Sequence, residues 1–311
     1  MNVINFPVFI PFLFASAVND SGKSASGSVI VIAGGSPDGV AVEMLRTGED
    51  GGTWEALPPM NQSRRSAAGV CADGKVYVIG GRRGRDGGMI TGEVFDFGLQ
   101  KWSFISPMPV EVTYPTAVYS CGKIYVLSPS HKSMLLYDIE KDSWSTLSNT
   151  GFPQDAHVSA AIIENSIYAC AGKTVCKKYN LETDQWQAIQ PHPSPQRDYP
   201  IMIGLNGVVY SIGGAADYNK FFDTAHIYYP ITDTWTSITS LPGPRSEHAL
   251  AVADGKIYVL GGSYYSKVTL SEKYISPTEE ALVYTPASNT WAKGPPLLDK
   301  RYSHVAVTCQ L

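Results

Sequence analysis

The chain has 311 residues, with 24 Lys and Arg against 28 Asp and Glu, which gives a formal net charge of -4 at pH 7. This balance argues against a nucleic-acid-binding protein, which needs a basic surface, whereas 44% hydrophobic residues are enough for a folded core. The longest apolar run, residues 6–18, has 13 residues and two prolines, so we expect no membrane span. The 29 Gly and 21 Pro predict short strands and many turns.

Residues 1–27 are predicted to be an N-terminal leader or linker that precedes the folded domain at residues 28–311. Residues 1–17 contain an apolar stretch of signal-peptide length, which ends in Ala15-Ser-Ala17 like a small-x-small cleavage site. However, Pro7 and Pro11 interrupt this stretch, and its first ten residues contain no Lys or Arg. We therefore expect a cytoplasmic protein, with secretion as the alternative if the stretch is a signal peptide.

Six tryptophans divide the remaining chain into repeats with spacings of 48, 42, 42, 49 and 56 residues, which is the range of a propeller-blade repeat. Each Trp follows a strand-like apolar run, and four of these runs end in Gly-Gly, for example Val76-Tyr-Val-Ile-Gly-Gly81. An aromatic residue precedes Trp by seven positions in five repeats. The tryptophans are Trp54, Trp102, Trp144, Trp186, Trp235 and Trp291.

Each repeat is predicted to contain four strands, which the second repeat places at Ser66–Ala72, Lys75–Ile79, Gly92–Asp96 and Lys101–Ile105. The Asp73-Gly74 step between the first two strands is a strong hairpin signal. A single four-stranded sheet cannot bury both of its faces, but radial stacking of six sheets can. The sequence therefore predicts an all-β, six-bladed β-propeller.

The first repeat begins in its second strand, at Val29, and has no first strand before it. The C-terminal run Arg301-Tyr-Ser-His-Val-Ala-Val-Thr308 matches the first strand of the sixth repeat, Arg245-Ser-Glu-His-Ala-Leu-Ala-Val252. We therefore expect the C-terminal strand to complete blade one and to close the propeller, which removes the open sheet edges.

The Gly-Gly, Tyr and Trp pattern from Val29 to Thr308 resembles kelch repeats, and the whole set resembles the propeller of BTB–kelch (Kelch-like) proteins. This resemblance implies a kelch propeller that recruits or binds other proteins, as kelch adaptors and actin binders do. A BTB region is not expected, because only the short leader precedes the propeller.

The site is expected on the side of the propeller where loop length varies between repeats, because function concentrates in variable loops. Arginine and tyrosine are common there, and both suit protein-binding hot spots. The alternative for the repeated arginines is that they tether neighbouring blades through backbone carbonyls. The candidate partner-binding residues are Arg64, Arg82, Arg83, Arg197, Arg245, Arg301, Tyr114, Tyr264 and Tyr302.

No catalytic residue, metal ligand or cofactor is predicted. His248 and His304 occupy equivalent strand positions and are expected to pack between blades, since two histidines lack the further ligands of a catalytic metal. Glu247 is the nearest match to the acid/base carboxylate of a mutarotase, but adjacent strand residues point to opposite faces, so it is not expected to act with His248. The five cysteines show no paired spacing and are expected to be mostly free, structural thiols.

The leading hypothesis is therefore a non-enzymatic module that binds a partner protein or peptide, of acidic character, on the variable rim. The resemblance implies substrate recognition for a ubiquitin ligase as one role. The alternatives are a cytoskeletal, actin-associated scaffold and a secreted sugar-binding or mutarotase-like propeller.

Overall fold

The computed structural model describes residues 27–48, 52–84, 87–153, 156–172, 175–194, 201–217, 220–267 and 273–311. These residues form β-strands joined by turns and loops, and none of them is helical. Residues 1–26 and Arg197 lie outside the described residues, so the expectations for the leader and for that arginine stay predictions.

In the described residues, six antiparallel sheets of four strands form the blades, which confirms the predicted all-β, six-bladed propeller. The strands are β1 (Ser28–Ala33), β2 (Val42–Arg46), β3 (Trp54–Leu57), β4 (Ala68–Ala72), β5 (Lys75–Ile79), β6 (Gly92–Asp96), β7 (Lys101–Phe104), β8 (Thr116–Ser120), β9 (Lys123–Ser128), β10 (His131–Asp138), β11 (Ser143–Asn149), β12 (Val158–Ile163), β13 (Ser166–Ala171), β14 (Val175–Asn180), β15 (Gln185–Ala188), β16 (Met202–Leu205), β17 (Val208–Ile212), β18 (Ala215–Asp217), β19 (Lys220–Phe221), β20 (Ala225–Tyr229), β21 (Thr234–Ile238), β22 (Ala249–Ala253), β23 (Lys256–Leu260), β24 (Ser263–Lys267), β25 (Lys273–Pro277), β26 (Ala281–Thr285), β27 (Thr290–Lys293) and β28 (Val305–Gln310). Blade one consists of β28, β1, β2 and β3, and blades two to six follow in chain order. The hairpins β18–β19 and β24–β25 are separate two-stranded sheets within blades five and six.

Blade two shows how closely the sequence pattern predicts the strands. Strands β5 and β6 have their predicted bounds, and β7 is one residue shorter. Strand β4 begins at Ala68 rather than Ser66, because Ser66 has a left-handed backbone with φ 50° that does not extend a strand. The Asp73-Gly74 turn has φ 50° and 69°, the two positive values that a type I′ hairpin requires.

The C-terminal strand closes the propeller, as predicted. Strand β28 pairs antiparallel with β1 from Ser28↔Gln310 to Ala33↔Val305. The Gln310 side-chain amide also donates to Ser28 Oγ at 2.8 Å. Blade one therefore joins the two ends of the repeat region.

Five of the six repeated tryptophans attach their blade to the preceding one. The indole N–H of Trp102 donates to the carbonyl oxygen of Pro58 at 2.8 Å, in the connection from blade one, while its ring packs with Phe95. Four other indoles make the same bond: Trp54 to Pro295 (3.0 Å), Trp144 to Ser106 (2.7 Å), Trp235 to Gln190 (3.1 Å) and Trp291 to Thr239 (2.9 Å). The ring fills the space between blades and its polar edge satisfies a backbone carbonyl, which explains why Trp recurs.

The repeated histidines pack against the double glycines. A Cβ added to Gly262, which has φ 94°, would lie 2.7 Å from both His248 Cβ and the Ser246 carbonyl oxygen. His304 Cε1 is similarly close to a Cβ added to Gly261 of the adjacent blade. Both histidines are buried. The close approach and the positive φ together require glycine.

The expectation of free thiols is wrong for four of the five cysteines. Cys71 of β4 is bonded to Cys309 of β28, which links blade two to the closing strand across 238 residues of sequence. Cys170 and Cys176 are directly opposite on β13 and β14 and form a second disulfide. Cys121 is free and exposed. Spacing in the sequence did not indicate the first pair, because only closure of the propeller brings β28 beside β4.

Candidate functional site

The two ends of the propeller differ in their loops. The face that we call the turn face carries the hairpin turns, such as Asp73-Gly74. The opposite face, the variable face, carries the loops between second and third strands and the connections between blades. The hairpins β18–β19 and β24–β25 belong to these longer loops.

The repeated Arg64 is buried inside blade two rather than exposed on the variable face. Arg64 as a whole is 1% exposed. Its guanidinium lies 2.9 Å from the carboxylate of Glu93 on β6, and both side chains are fully buried. It also donates to the carbonyl oxygens of Gly80 and Thr91 at 3.1 and 2.9 Å. Burial lowers the pKa of Arg64, which the hydrogen bond to Glu93 opposes. The arginine therefore fastens the entry of β4 to the β5–β6 loop.

Arg245 and Arg301 also pair with an acidic side chain of their own blade, in blades six and one, although Glu280, which precedes β26, is 37% exposed. Arg245 pairs with Glu280 and donates to the Gly261 carbonyl oxygen at 3.3 Å. Arg301 lies 2.8 Å from Glu43, and burial raises the pKa of Glu43. Both arginines are buried.

These contacts favour the tethering interpretation of the repeated arginines, with one change. The carbonyl partners of Arg64 lie in the arginine's own blade, not in a neighbouring blade. The connection between blades is instead held by the acidic partner: Glu93 accepts from the backbone N–H of Asn61 at 2.7 Å, and Glu43 accepts from that of Leu298 at 2.8 Å. Sequence analysis missed Glu43 and Glu93, although both occupy third strands.

A pocket of about 610 Å³ lies in the middle of the variable face, and we call it the axial pocket. Three of its described residues, Arg82, Tyr114 and Tyr302, are among those predicted for partner binding. The others are Ser36, Pro37, Arg65, Ser66, Ala215, Phe221, Ser246, Glu247, Pro277 and Ser303. Five of the six blades thus contribute to it.

The remaining predicted residues lie apart from this pocket. Arg83 is exposed next to Arg82. Tyr264 is 41% exposed and borders a second cavity of about 510 Å³, beside Pro244 and Thr278. The structure therefore brings together three predicted residues and leaves these two on the surrounding rim.

Two arginines of blade two lie side by side in the wall of the axial pocket. Arg65 and Arg82 exchange both backbone hydrogen bonds, at 3.0 and 2.8 Å, so their side chains project from the same side of this pairing. Arg82 donates to the Tyr114 hydroxyl at 3.0 Å, and its guanidinium lies 5.7 Å from the centre of the Tyr114 ring. Arg65 donates to the Gly84 carbonyl oxygen at 2.8 Å. The pairing concentrates positive charge in the wall of the pocket.

Glu247 is the acidic group of the axial pocket among the described residues. Its Oε2 accepts a hydrogen bond from Ser303 Oγ at 2.8 Å. Burial raises the pKa of Glu247, and the hydrogen bond from Ser303 and the charge of Arg65 partly offset that rise.

Four residues that line the axial pocket have left-handed backbones, and we call them the axial ring. Each of them lies two positions after a repeated arginine or, in blade three, two positions after the residue that takes the place of that arginine. Backbone hydrogen bonds join three of them across blades, from Ser66 N to the Ser303 carbonyl oxygen (2.7 Å) and from Ser303 N to that of Glu247 (2.8 Å). The left-handed conformation recurs at this place in four blades, so it is a property of the repeat. The four are Ser66 (φ 50°), Tyr114 (φ 49°), Glu247 (φ 54°) and Ser303 (φ 54°).

The chain belongs to the kelch-repeat family. The KLHDC2/KLHL20/DRC7 Kelch-repeats domain matches residues 116–310, and the Kelch motif matches residues 63–109. The chain is 25% identical to mouse Kelch-like protein 36 over 270 residues, which cover 83% of this chain and 36% of that protein. It is also 25% identical to beta-scruin of Limulus polyphemus over 178 residues, covering 53% of this chain and 19% of that protein. The chain thus spans about a third or less of these two relatives.

The fold is also that of a solved structure described as "Structure of YjhT", with a TM-score of 0.70 and 15% identity. The superposition covers 85% of this chain and 94% of that one. At this identity the likeness concerns the fold alone. Within the described residues, the structure has no helix long and apolar enough to cross a membrane and no cluster of three or more His, Cys, Asp or Glu suited to a metal ion.

Proposed function

We propose that this propeller is a protein-interaction module that binds a segment of a partner protein at the axial pocket and the rim around it. The observation that carries the proposal is the pairing of Arg65 and Arg82 beside Tyr114 in the axial pocket, at a position where the repeat itself does not require arginine. Kinship with Kelch-like proteins is consistent with such a module.

The bound segment is expected to carry acidic side chains. Arginine presents a planar pair of N–H donors that matches a carboxylate, and tyrosine provides contact area at a small entropy cost. Arg82, Tyr114 and Tyr302 would contact the segment inside the pocket, and Arg83 and Tyr264 would contact it on the rim. Arg64, Arg245 and Arg301 support this surface from below, and the role of Arg197 stays a prediction.

We propose no catalytic role. General acid–base chemistry by carboxyl groups commonly pairs two of them in environments that separate their pKa values. Among the described residues of the axial pocket, Glu247 is the one carboxylic acid, and its hydrogen-bond partner there is a serine. This arrangement supports binding rather than bond cleavage.

The physiological role is a separate proposal. Recruitment of substrates to a ubiquitin ligase and attachment to actin filaments both agree with a protein-binding kelch propeller.

The disulfides Cys71–Cys309 and Cys170–Cys176 favour an oxidising compartment, because disulfides are rare in the cytosol. They therefore support the secreted alternative over the cytoplasmic one. Peptide mapping of the unreduced protein, isolated from the cells that naturally produce it, tests the compartment. Intact disulfides would agree with secretion, and free thiols would agree with the cytoplasm.

The binding proposal is tested by reversing the charge of the pocket. The double variant Arg65→Glu with Arg82→Glu should lower the affinity of the propeller for its protein partners at least about tenfold, since each lost charged contact costs about 1.5–3 kcal/mol. Arg46→Glu is the matched control, because Arg46 is exposed on β2 away from the variable face. Melting curves check that all variants are folded. Equal capture by the double variant and by the wild type would contradict the proposal.

A further inference from the structure

Glu247 stands out in the axial ring because the fold does not require its charge. Equivalent positions in blades one and two hold Ser303 and Ser66, with backbone φ within a few degrees of that of Glu247. A neutral, small residue therefore satisfies the ring geometry twice in this same chain. The backbone bond from Ser303 N to the Glu247 carbonyl oxygen already joins blades one and six without the carboxyl group.

The carboxyl group of Glu247 also has a cost where it lies. Removing a carboxylate from water is unfavourable unless it gains a charged or hydrogen-bonded partner. Ser303 supplies one hydroxyl donor at 2.8 Å, and the charge of Arg65 offsets a further part of the cost. A half-buried carboxyl group that the fold does not need, and that lines a pocket, indicates a role in binding.

We infer that Glu247 is a specificity residue, which reads a positively charged side chain next to an acidic one in the bound segment. The inference rests on the proposed function. The axial pocket has positive charge on its blade-two side, from Arg65 and Arg82, and negative charge on its blade-six side, from Glu247. A segment with one acidic and one basic side chain pairs with both sides.

Glu247 would also act by rejection. A segment that is acidic throughout gains contacts with Arg65 and Arg82 but places a carboxylate near Glu247, and this repulsion lowers its affinity. Specificity commonly needs such a repulsive contact in addition to attractive ones. The partner chemistry is therefore a mixed acidic and basic peptide segment, rather than a uniformly acidic one.

The test compares peptide pools of one fixed length on three proteins: the wild type, Glu247→Gln and Glu247→Ser. The pools carry acidic residues only, basic residues only, adjacent acidic and basic residues, or neutral residues only. The wild type should bind the mixed pool best. In both variants the affinity for the acidic pool relative to the mixed pool should rise about tenfold, the scale of one charged contact.

A structural role for Glu247 predicts a different result. If the carboxyl group serves the fold, Glu247→Ser lowers the melting temperature and leaves the ranking of the pools unchanged, which overturns the inference. If it serves binding, the melting temperature stays the same or rises, because a serine occupies this position in two other blades. If the peptides bind strongly but both variants rank the pools as the wild type does, the inference is overturned and the proposed function is not. No binding of any pool to the folded wild type overturns the proposed function as well.

Discussion

Arg64 and Arg65 are adjacent in the sequence and have opposite surroundings. Arg64 is 1% exposed and forms its ion pair with Glu93 inside blade two, whereas Arg65 lines the axial pocket. Successive residues of an extended chain point to opposite sides, so one side chain enters the blade and the next reaches the surface. Arg64 belongs to a set that recurs in blades one and six, and Arg65 does not. In this propeller the repeated arginines build the scaffold, whereas Arg65 and Arg82, which do not recur, are the ones proposed to take part in recognition.

The largest expected effect concerns an exception to that rule. The pair Cys71–Cys309 occurs once, yet it serves the scaffold by fixing the closing strand to blade two. In the chain-entropy description, a link across 238 residues stabilises the fold by roughly 5 kcal/mol, whereas the six-residue link Cys170–Cys176 contributes roughly 2 kcal/mol.

We therefore expect Cys71→Ser with Cys309→Ser to lower the free energy of unfolding more than Cys170→Ser with Cys176→Ser does. Urea unfolding of the oxidised proteins measures both losses. Equal losses would mean that closure of the propeller does not depend on the covalent link.

Next in size is the difference between the two adjacent arginines. Arg64→Ala should cost about 3–5 kcal/mol of unfolding free energy, because it leaves the buried carboxylate of Glu93 without its partner. Arg65→Ala should change stability by about 0.5 kcal/mol or less and should instead weaken partner binding. Denaturant unfolding and a binding assay on both variants check this. A similar loss of stability in both would remove the distinction between scaffold and site.

The last effect is a dependence of stability on pH, in which another repeated residue, His304, takes part. Complete burial lowers the pKa of His304 to about 3, and burial lowers that of His157 to about 4. Unfolded histidine has a pKa near 6.5, so below that pH the unfolded chain binds protons that the folded chain does not. Stability is therefore full above pH 6.5 and falls as the pH decreases towards the folded values.

Each histidine should contribute a slope of up to about 1.4 kcal/mol per pH unit in this range. His304→Phe, which keeps an aromatic ring, should reduce the slope and leave the contribution of His157. Unfolding curves from pH 7 to about pH 4.5 measure it. An unchanged slope in the variant would show that His304 is not kept neutral by the fold.

The sequence predicted the parts of the fold that local patterns encode. Periodic Trp and Gly-Gly gave six blades, and the match of the C-terminal run to a first strand gave the closure. Contacts between elements that are distant in the sequence could not be predicted from local patterns. The link between Cys71 and Cys309 needs the closed propeller, and the pairing of Arg64 with Glu93 needs the registers of two strands. The left-handed backbone of Glu247 was also hidden, because only Gly and Asn commonly signal it.

The sequence indicated some residues of the proposed site and not others. Arg82, Tyr114 and Tyr302 were selected because arginine and tyrosine cluster on variable loops, and they do meet in the axial pocket. Arg65 is not among the predicted residues, because the sequence pattern marks the repeated position beside it. Repetition marks residues that every blade needs, so candidate binding residues are better sought among the departures from the repeat.

The pairing of Ser28 with Gln310 has a practical consequence. Strand β1 begins, and strand β28 ends, beside the turn face, on the side of the propeller away from the axial pocket. An affinity tag, a fused protein or a solid support joined directly before β1 or directly after β28 therefore leaves from the face opposite the axial pocket. Molecules immobilised at either of these two points should present the pocket to solution in the same orientation.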